Sequence, residues 1–104
     1  LGIYQLFSDM SKTSLYEDFI KKQLGVLIDY DAQNHTQLLS TLEIYLKNNC
    51  NLLHTADELF THRNTIKYRL KRIEKLLHRN MEDSAVLLNL NVALYLKNYV
   101  LPVI

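Results

Sequence analysis

Glycine and proline, the residues that most readily interrupt a regular backbone, occur only three times in 104 residues, as Gly2, Gly25 and Pro102. A chain so poor in breakers and so rich in leucine has few places to reverse direction, which favours long helices with short connections over sheets. The expected fold class is all-α, a multi-helix bundle. At 48% hydrophobic, a chain of this length can bury one core without metal or disulfide support.

Hydrophobic spacing locates the most informative segment, Leu52 to Leu77, LLHTADELFTHRNTIKYRLKRIEKLL. At about 100° per residue Ile66, Leu70, Ile73 and Leu77 form one stripe, the side that must be buried. Asn64, Lys67, Tyr68, Lys71, Arg72 and Lys75 take much of the opposite arc, where phosphates and base edges can use them. Upstream, Leu52, Ala56 and Leu59 recur at i, i+4 and i+7, with Leu53 and Phe60 beside them. The small Ala56 permits a close crossing, with Ile66 its natural partner, and Phe60, Thr61 and His62 supply a tight turn. Two helices, a turn and a basic second helix make a helix-turn-helix pattern. Its expected packing residues are Ala56, Leu59, Ile66, Leu70 and Ile73.

Charge follows the same segment. The chain's net charge is only +1, yet seven of its twelve basic residues lie between Arg63 and Arg79 against Glu74 alone, a local charge of about +6. That distribution can orient a domain on a phosphate backbone.

The rest of the chain reads as scaffold. Leu1 to Phe7 is an apolar helical segment, and Ser8 to Thr13 a polar break. Ser14 with Glu17 has capping-box spacing and starts a helix carrying Leu15, Phe19 and Ile20. Gly25 marks a bend before Val26 to Tyr30, and Asp31 to His35 is a loop. Asn34 with Gln37 offers a cap for an amphipathic helix from Thr36 to Lys47, in which Leu38, Leu39, Leu42, Tyr45 and Leu46 share a face. Asn51 can cap the first motif helix, and Asp83 or Ser84 the last helix, which is strongly apolar and ends before Pro102. Residues 1–35 are expected to be leading helices that pack on, or link to, a preceding part of the protein. Residues 36–104 carry the helix-turn-helix domain, and the two parts are expected to form one compact domain overall. The chain opens on Leu1 rather than methionine and on an apolar segment, which suggests a fragment of a longer protein.

The run HRNTIKYRLKRIEKLL, preceded by TLEIYLKNNCNLLHTADELF, resembles the C-terminal DNA-binding domain of PucR/CdaR-type bacterial transcriptional regulators. Those domains carry a TLxxYLxNxxNxxxTAxxLxxHRNTLxYRLxRIExLL-like signature, which Thr41 to Leu77 follows. LLNLNVALYLKNYV resembles the family's closing helix, and LGIYQLF and LGVLIDYD its leading segments. Ala56, Arg63, Thr65, Ile66 and Leu70 are also similar in spacing to the helix-turn-helix of the nucleoid protein Fis. Phe60 stands where many such turns place glycine for its positive φ, so a modified turn is expected. The resemblance implies duplex DNA as partner, a homodimer or larger oligomer of the full-length protein, effector sensing elsewhere, and a cytoplasmic, nucleoid-associated location.

A recognition helix enters the major groove with its first residues nearest the bases. The base-proximal candidates are therefore His62, Arg63, Thr65, Lys67 and Tyr68. Arg63 is the sharpest of them, since a guanidinium can bond guanine O6 and N7 together. His62 can instead cap the helix, and Tyr68 can pack on a neighbour. Asn64, Lys71, Arg72 and Lys75 are assigned to phosphate, as are Asn51, His54 and Thr55 at the start of the first motif helix. Arg69 points nearer the core, where an acid such as Glu58 can pair with it.

Other chemistries find little support. His35, His54, His62 and His78 show neither HExxH nor i, i+4 spacing, and no Gly-rich phosphate loop or GxSxG occurs. Asp57 and Glu58 are adjacent and face apart on a helix. Cys50 is single, with no partner for a disulfide and no CxxC for zinc, and reads as a partly buried small hydrophobe near a helix end. No enzyme, cofactor or metal is expected. No apolar run approaches about 18 residues, so no membrane is expected either. The alternatives to DNA are a protein-interaction scaffold and structured RNA, met through the same basic helix.

Overall fold

The computed structural model describes residues 12–101. They form five α-helices and no strand: α1 Thr13–Asn34, α2 Leu38–Lys47, α3 Leu52–Glu58, α4 Arg63–Leu77 and α5 Ser84–Tyr95. A five-residue π turn, Leu96–Val100, extends α5 and closes with Leu101 N–H on the Leu96 carbonyl at 2.7 Å. The all-α expectation holds. The assignments to Leu1–Phe7 and Pro102 lie outside the described residues.

One helix of 22 residues replaces the two short segments expected around Gly25. Tyr16, Ile20, Gln23, Leu24 and Leu27 fall on one buried face of α1, on both sides of the glycine. Packing of that face overrides a propensity penalty of only about 1 kcal/mol. The helix starts at Thr13, with Lys12 as the residue before it and no side-chain cap. Ser14 therefore sits inside the first turn, where the expected capping box cannot form.

Helix ends share a device that glycine usually supplies. After α1, α2, α3 and α4 the chain turns through the left-handed region at His35 (φ 53°), Asn49 (54°), Phe60 (53°) and His78 (54°). The next amide then reaches back across the last turn: Thr36 N–H to Asp31 O, Cys50 to Tyr45, Thr61 to Ala56, Arg79 to Glu74. This is the Schellman arrangement, which satisfies carbonyls the helix leaves open. Cys50 (φ 62°), half-buried, continues the left-handed path into α3.

The cap of α2 differs from expectation. The helix starts at Leu38, and neither Asn34 nor Gln37 caps it: the Asn34 amide donates to Tyr30 O, and Gln37 makes no side-chain cap. Instead the Asp31 carboxylate, seven and eight residues back, accepts Leu38 N–H and Leu39 N–H at 2.9 Å each, and the Thr36 hydroxyl. An anion near a helix N-terminus is favourable, so one side chain ties α1 to α2.

The core is contiguous. Ile20, Leu24 and Leu27 of α1, Leu42 of α2, Ile73 of α4 and Leu90 of α5 are fully buried, with Leu96 from the π turn. Each such side chain contributes about 1.5–3 kcal/mol by leaving water. α1 packs against α2, α4 and α5. Polar ties cross the same space: Arg79 Nη1 donates to Gln23, Asn98 Nδ2 to Glu43, and Met81 N–H to Glu74 (2.8 Å). Asp83 caps α5 through Ala85 N–H at 2.9 Å, as expected. Among the described residues no helix is long and apolar enough to cross a membrane.

Candidate nucleic-acid interface

The motif forms as its spacing demands. Ile66 and Ile73 are fully buried, and Leu70 and Leu77 half-buried, so the stripe on α4 faces inward. Ala56, nearly buried, lies in the α3 face packed against α4, with Leu59 half-buried beside it. Leu53 and Phe60 do not join that apolar side; they are 56% and 96% exposed. Nor is the turn modified. Phe60 N–H bonds Asp57 O (3.2 Å) and Thr61 N–H bonds Ala56 O (3.0 Å), with the left-handed backbone a glycine would have taken.

Two side chains set the ends of the motif. Asn51 Oδ1 accepts His54 N–H at 2.9 Å and starts α3. His62 Nδ1 accepts Asn64 N–H at 3.0 Å and starts α4. In the neutral ring an accepting Nδ1 leaves Nε2 to carry the proton. His62 thus fills the capping role and remains exposed at the tip of the basic helix.

The face of α4 away from the core is open. His62, Arg63, Asn64, Lys67, Tyr68, Lys71 and Lys75 are exposed, and Thr65 and Arg72 half-buried. Tyr68 packs on a neighbour as well as facing solvent. Arg72 Nη2 donates to its hydroxyl at 2.7 Å, and the guanidinium lies 5.6 Å from the ring centroid, a cation–π distance.

Other assignments change. Arg69 does not pair with Glu58: its Nη1 donates to Thr41 Oγ1 at 3.1 Å, and that hydroxyl donates to Gln37 O. Glu58 instead takes Lys47 (3.2 Å) and Asn48 (3.1 Å), tying α3 to the end of α2. Those bonds, Asn48 first and Lys47 next, hold its carboxyl below the ordinary range. Thr55, assigned to phosphate, is fully buried with its hydroxyl on Asn51 O at 2.7 Å, so its side chain fixes α3. Asn51 and His54 remain exposed at that end. Arg79, counted only in the charge run, is half-buried on Gln23 and fastens the end of α4 to α1.

Two helices meeting at a tight turn, the second with an apolar stripe inward and a basic face outward, define a helix-turn-helix domain of the DNA-binding class. The chain belongs to the PucR C-terminal helix-turn-helix domain family, whose profile matches residues 38–96. It is similar to the proline-responsive transcriptional activator PutR of Bacillus subtilis, 37% identical over 83 residues, which is 80% of this chain and 20% of that protein. The purine catabolism regulatory protein of the same organism is 37% identical over 68 residues, 65% of this chain and 13% of the relative. The DNA-binding transcriptional activator AdeR of Bacillus subtilis is 28% identical over 83 residues, covering 80% of this chain and 20% of that protein. No solved structure matches. The chain therefore spans a fifth or less of these relatives, and as a member of the family it is a DNA-binding regulatory output domain.

Proposed function

We propose that this domain binds duplex DNA sequence-specifically by laying the N-terminal half of α4 in the major groove. The observation that carries the reading is the exposed basic face of α4, set directly against its buried stripe. His62, Arg63, Thr65, Lys67 and Tyr68 lie nearest the bases. Asn64, Lys71, Arg72 and Lys75 meet phosphate, joined by Asn51 and His54 from α3. The longer protein is a cytoplasmic regulator, dimeric or larger, with effector sensing upstream. Residues 36–104 are its output domain, and the burial of Ile20, Leu24 and Leu27 supports a leading segment packed on that domain.

Titration of labelled duplex at several salt concentrations tests the reading. Each phosphate neutralised adds roughly 0.9 to the log–log slope, so affinity indifferent to salt overturns it. Arg63→Ala should relax preference at one base pair by about 1–3 kcal/mol, whereas Lys75→Ala should weaken all sequences alike. Preference for structured RNA over duplex in competition would also refute it.

A further inference from the structure

A second surface borders the recognition helix. The loop between α1 and α2 stands beside α4, and the two enclose an open cleft of about 520 Å³. His35 and Gln37 line one wall; Thr65, Tyr68, Arg69 and Arg72 line the other. On a helical wheel at about 100° per residue, Thr65, Arg69 and Arg72 form one flank of α4, while Arg63, Lys67 and Lys71 lie toward the other. The loop therefore extends the exposed face sideways on one flank only.

The cleft is cationic and held in place. Each guanidinium has five donors, and the bonds described above commit one from Arg69 to Thr41 and one from Arg72 to Tyr68. Among the described residues neither forms a salt bridge with a carboxylate. Asp31, which fixes the loop, is occupied by three donors and does not line the cleft. The Gln37 backbone is fixed too, its carbonyl accepting Thr41 N–H at 3.1 Å and the Ser40 and Thr41 hydroxyls. Its side chain is exposed and makes no hydrogen bond among the described residues.

A helix with side chains is about 10–12 Å across and the major groove about 12 Å wide, so the two phosphate strands run along the flanks of a docked helix. We infer that the cleft receives one backbone phosphate of the bound duplex, held by Arg72 and Arg69 from α4 and by the Gln37 amide from the α1–α2 loop. This rests on the DNA-binding reading and adds a contact element outside the helix-turn-helix itself. Position and preset donors, rather than base edges, define it, so it strengthens binding without selecting sequence.

The test uses the 104-residue chain and a duplex recovered by selection from random sequence. Gln37→Lys should steepen the log–log salt slope by about 0.9, and Gln37→Glu should make it shallower. The affinity ratio of Gln37→Lys to the parent should then change about 3.5-fold between 50 and 200 mM salt. Scanning single uncharged methylphosphonates along each strand should abolish the Gln37→Lys gain at one phosphate only. Duplex binding by the parent, with both variants matching it in affinity and slope, overturns the inference and leaves the function standing. A gain that survives every methylphosphonate position does the same. Absence of duplex binding by the parent at 50 mM salt overturns both.

Discussion

Gly25→Ala should stabilise the protein, and the size of the effect follows from the backbone. Gly25 lies inside a continuous helix and has no positive φ, so alanine can adopt its conformation. A Cβ built there meets Lys21 Cβ at 3.9 Å, an ordinary van der Waals contact. Nothing must move to admit the methyl group. The gain is then the helix-propensity difference, about 0.8–1.0 kcal/mol, because alanine leaves the unfolded chain less freedom to lose. For a domain of this size 1 kcal/mol corresponds to about 4–8 °C in Tm. Paired urea and thermal unfolding, followed by far-ultraviolet circular dichroism, would measure it, with an unchanged urea slope showing that the surface exposed on unfolding is the same. Duplex affinity should stay constant, since Gly25 does not lie on α4. A glycine at a true bend with positive φ gives the opposite sign, because alanine there is strained. A fall in Tm would therefore refute the continuous helix and restore the bend expected from sequence.

Ile66→Ala should cost about 2–5 kcal/mol, because the side chain is fully buried under the motif; chemical denaturation measures it, and a cost below 1 kcal/mol would contradict the packing of α3 on α4. Asp31→Ala should cost about 0.5–2 kcal/mol by removing the cap of α2, and unchanged stability would show that these bonds do not hold the loop. Because the folded-state pKa of Glu58 is lowered, its stabilisation is present above the unfolded value and lost as pH falls through the folded one. Between pH 6 and pH 3 the parent should thus lose more Tm than Glu58→Gln, and equal losses would deny the Asn48 and Lys47 bonds their role. Phe60→Gly should stabilise by about 0.5 kcal/mol, relief of a left-handed penalty of about 1–2 kcal/mol being partly offset by about 0.4–1 kcal/mol of unfolded-chain entropy; clear destabilisation would mean that the ring, 96% exposed, packs on something.

The parts of the fold legible in sequence were those governed by local spacing. The inward stripe on α4 follows from steps of three and four, and Asn51, His62 and Asp83 cap the residues just after them. Helix ends were harder to place because the left-handed stops are His35, Asn49, Phe60 and His78 instead of glycine. Histidine and asparagine tolerate that region better than most residues, whereas phenylalanine adopts it only where the surrounding bonds impose it. The one glycine within the described residues sits mid-helix, so taking it as punctuation misplaced the break. Long-range ties leave no periodic trace: Arg69 reaches Thr41 across 28 positions and Arg79 reaches Gln23 across 56. The cleft beside α4 was invisible for the same reason, since packing alone brings Gln37 and Arg72 to the same cleft.

The same ties explain why a net charge of +1 is a poor guide to this domain. Of the seven basic residues from Arg63 to Arg79, Arg69 and Arg79 reach back to Thr41 and Gln23, and Arg72 braces Tyr68. A forked guanidinium can hold such a contact and retain donors for another partner, whereas an ammonium offers a compact hydrated charge. Lys67, Lys71 and Lys75 accordingly stay exposed beside Arg63. Several acids that lower the total are bound into the scaffold: Asp31 and Asp83 cap helices, Glu74 takes Met81 N–H, Glu43 takes Asn98, and Glu58 is shared by Lys47 and Asn48. At physiological salt, charges more than about 8 Å apart are largely screened from each other. A phosphate on the outer face of α4 therefore meets the local cationic field, and acids beyond that distance lower the isoelectric point far more than they lower affinity.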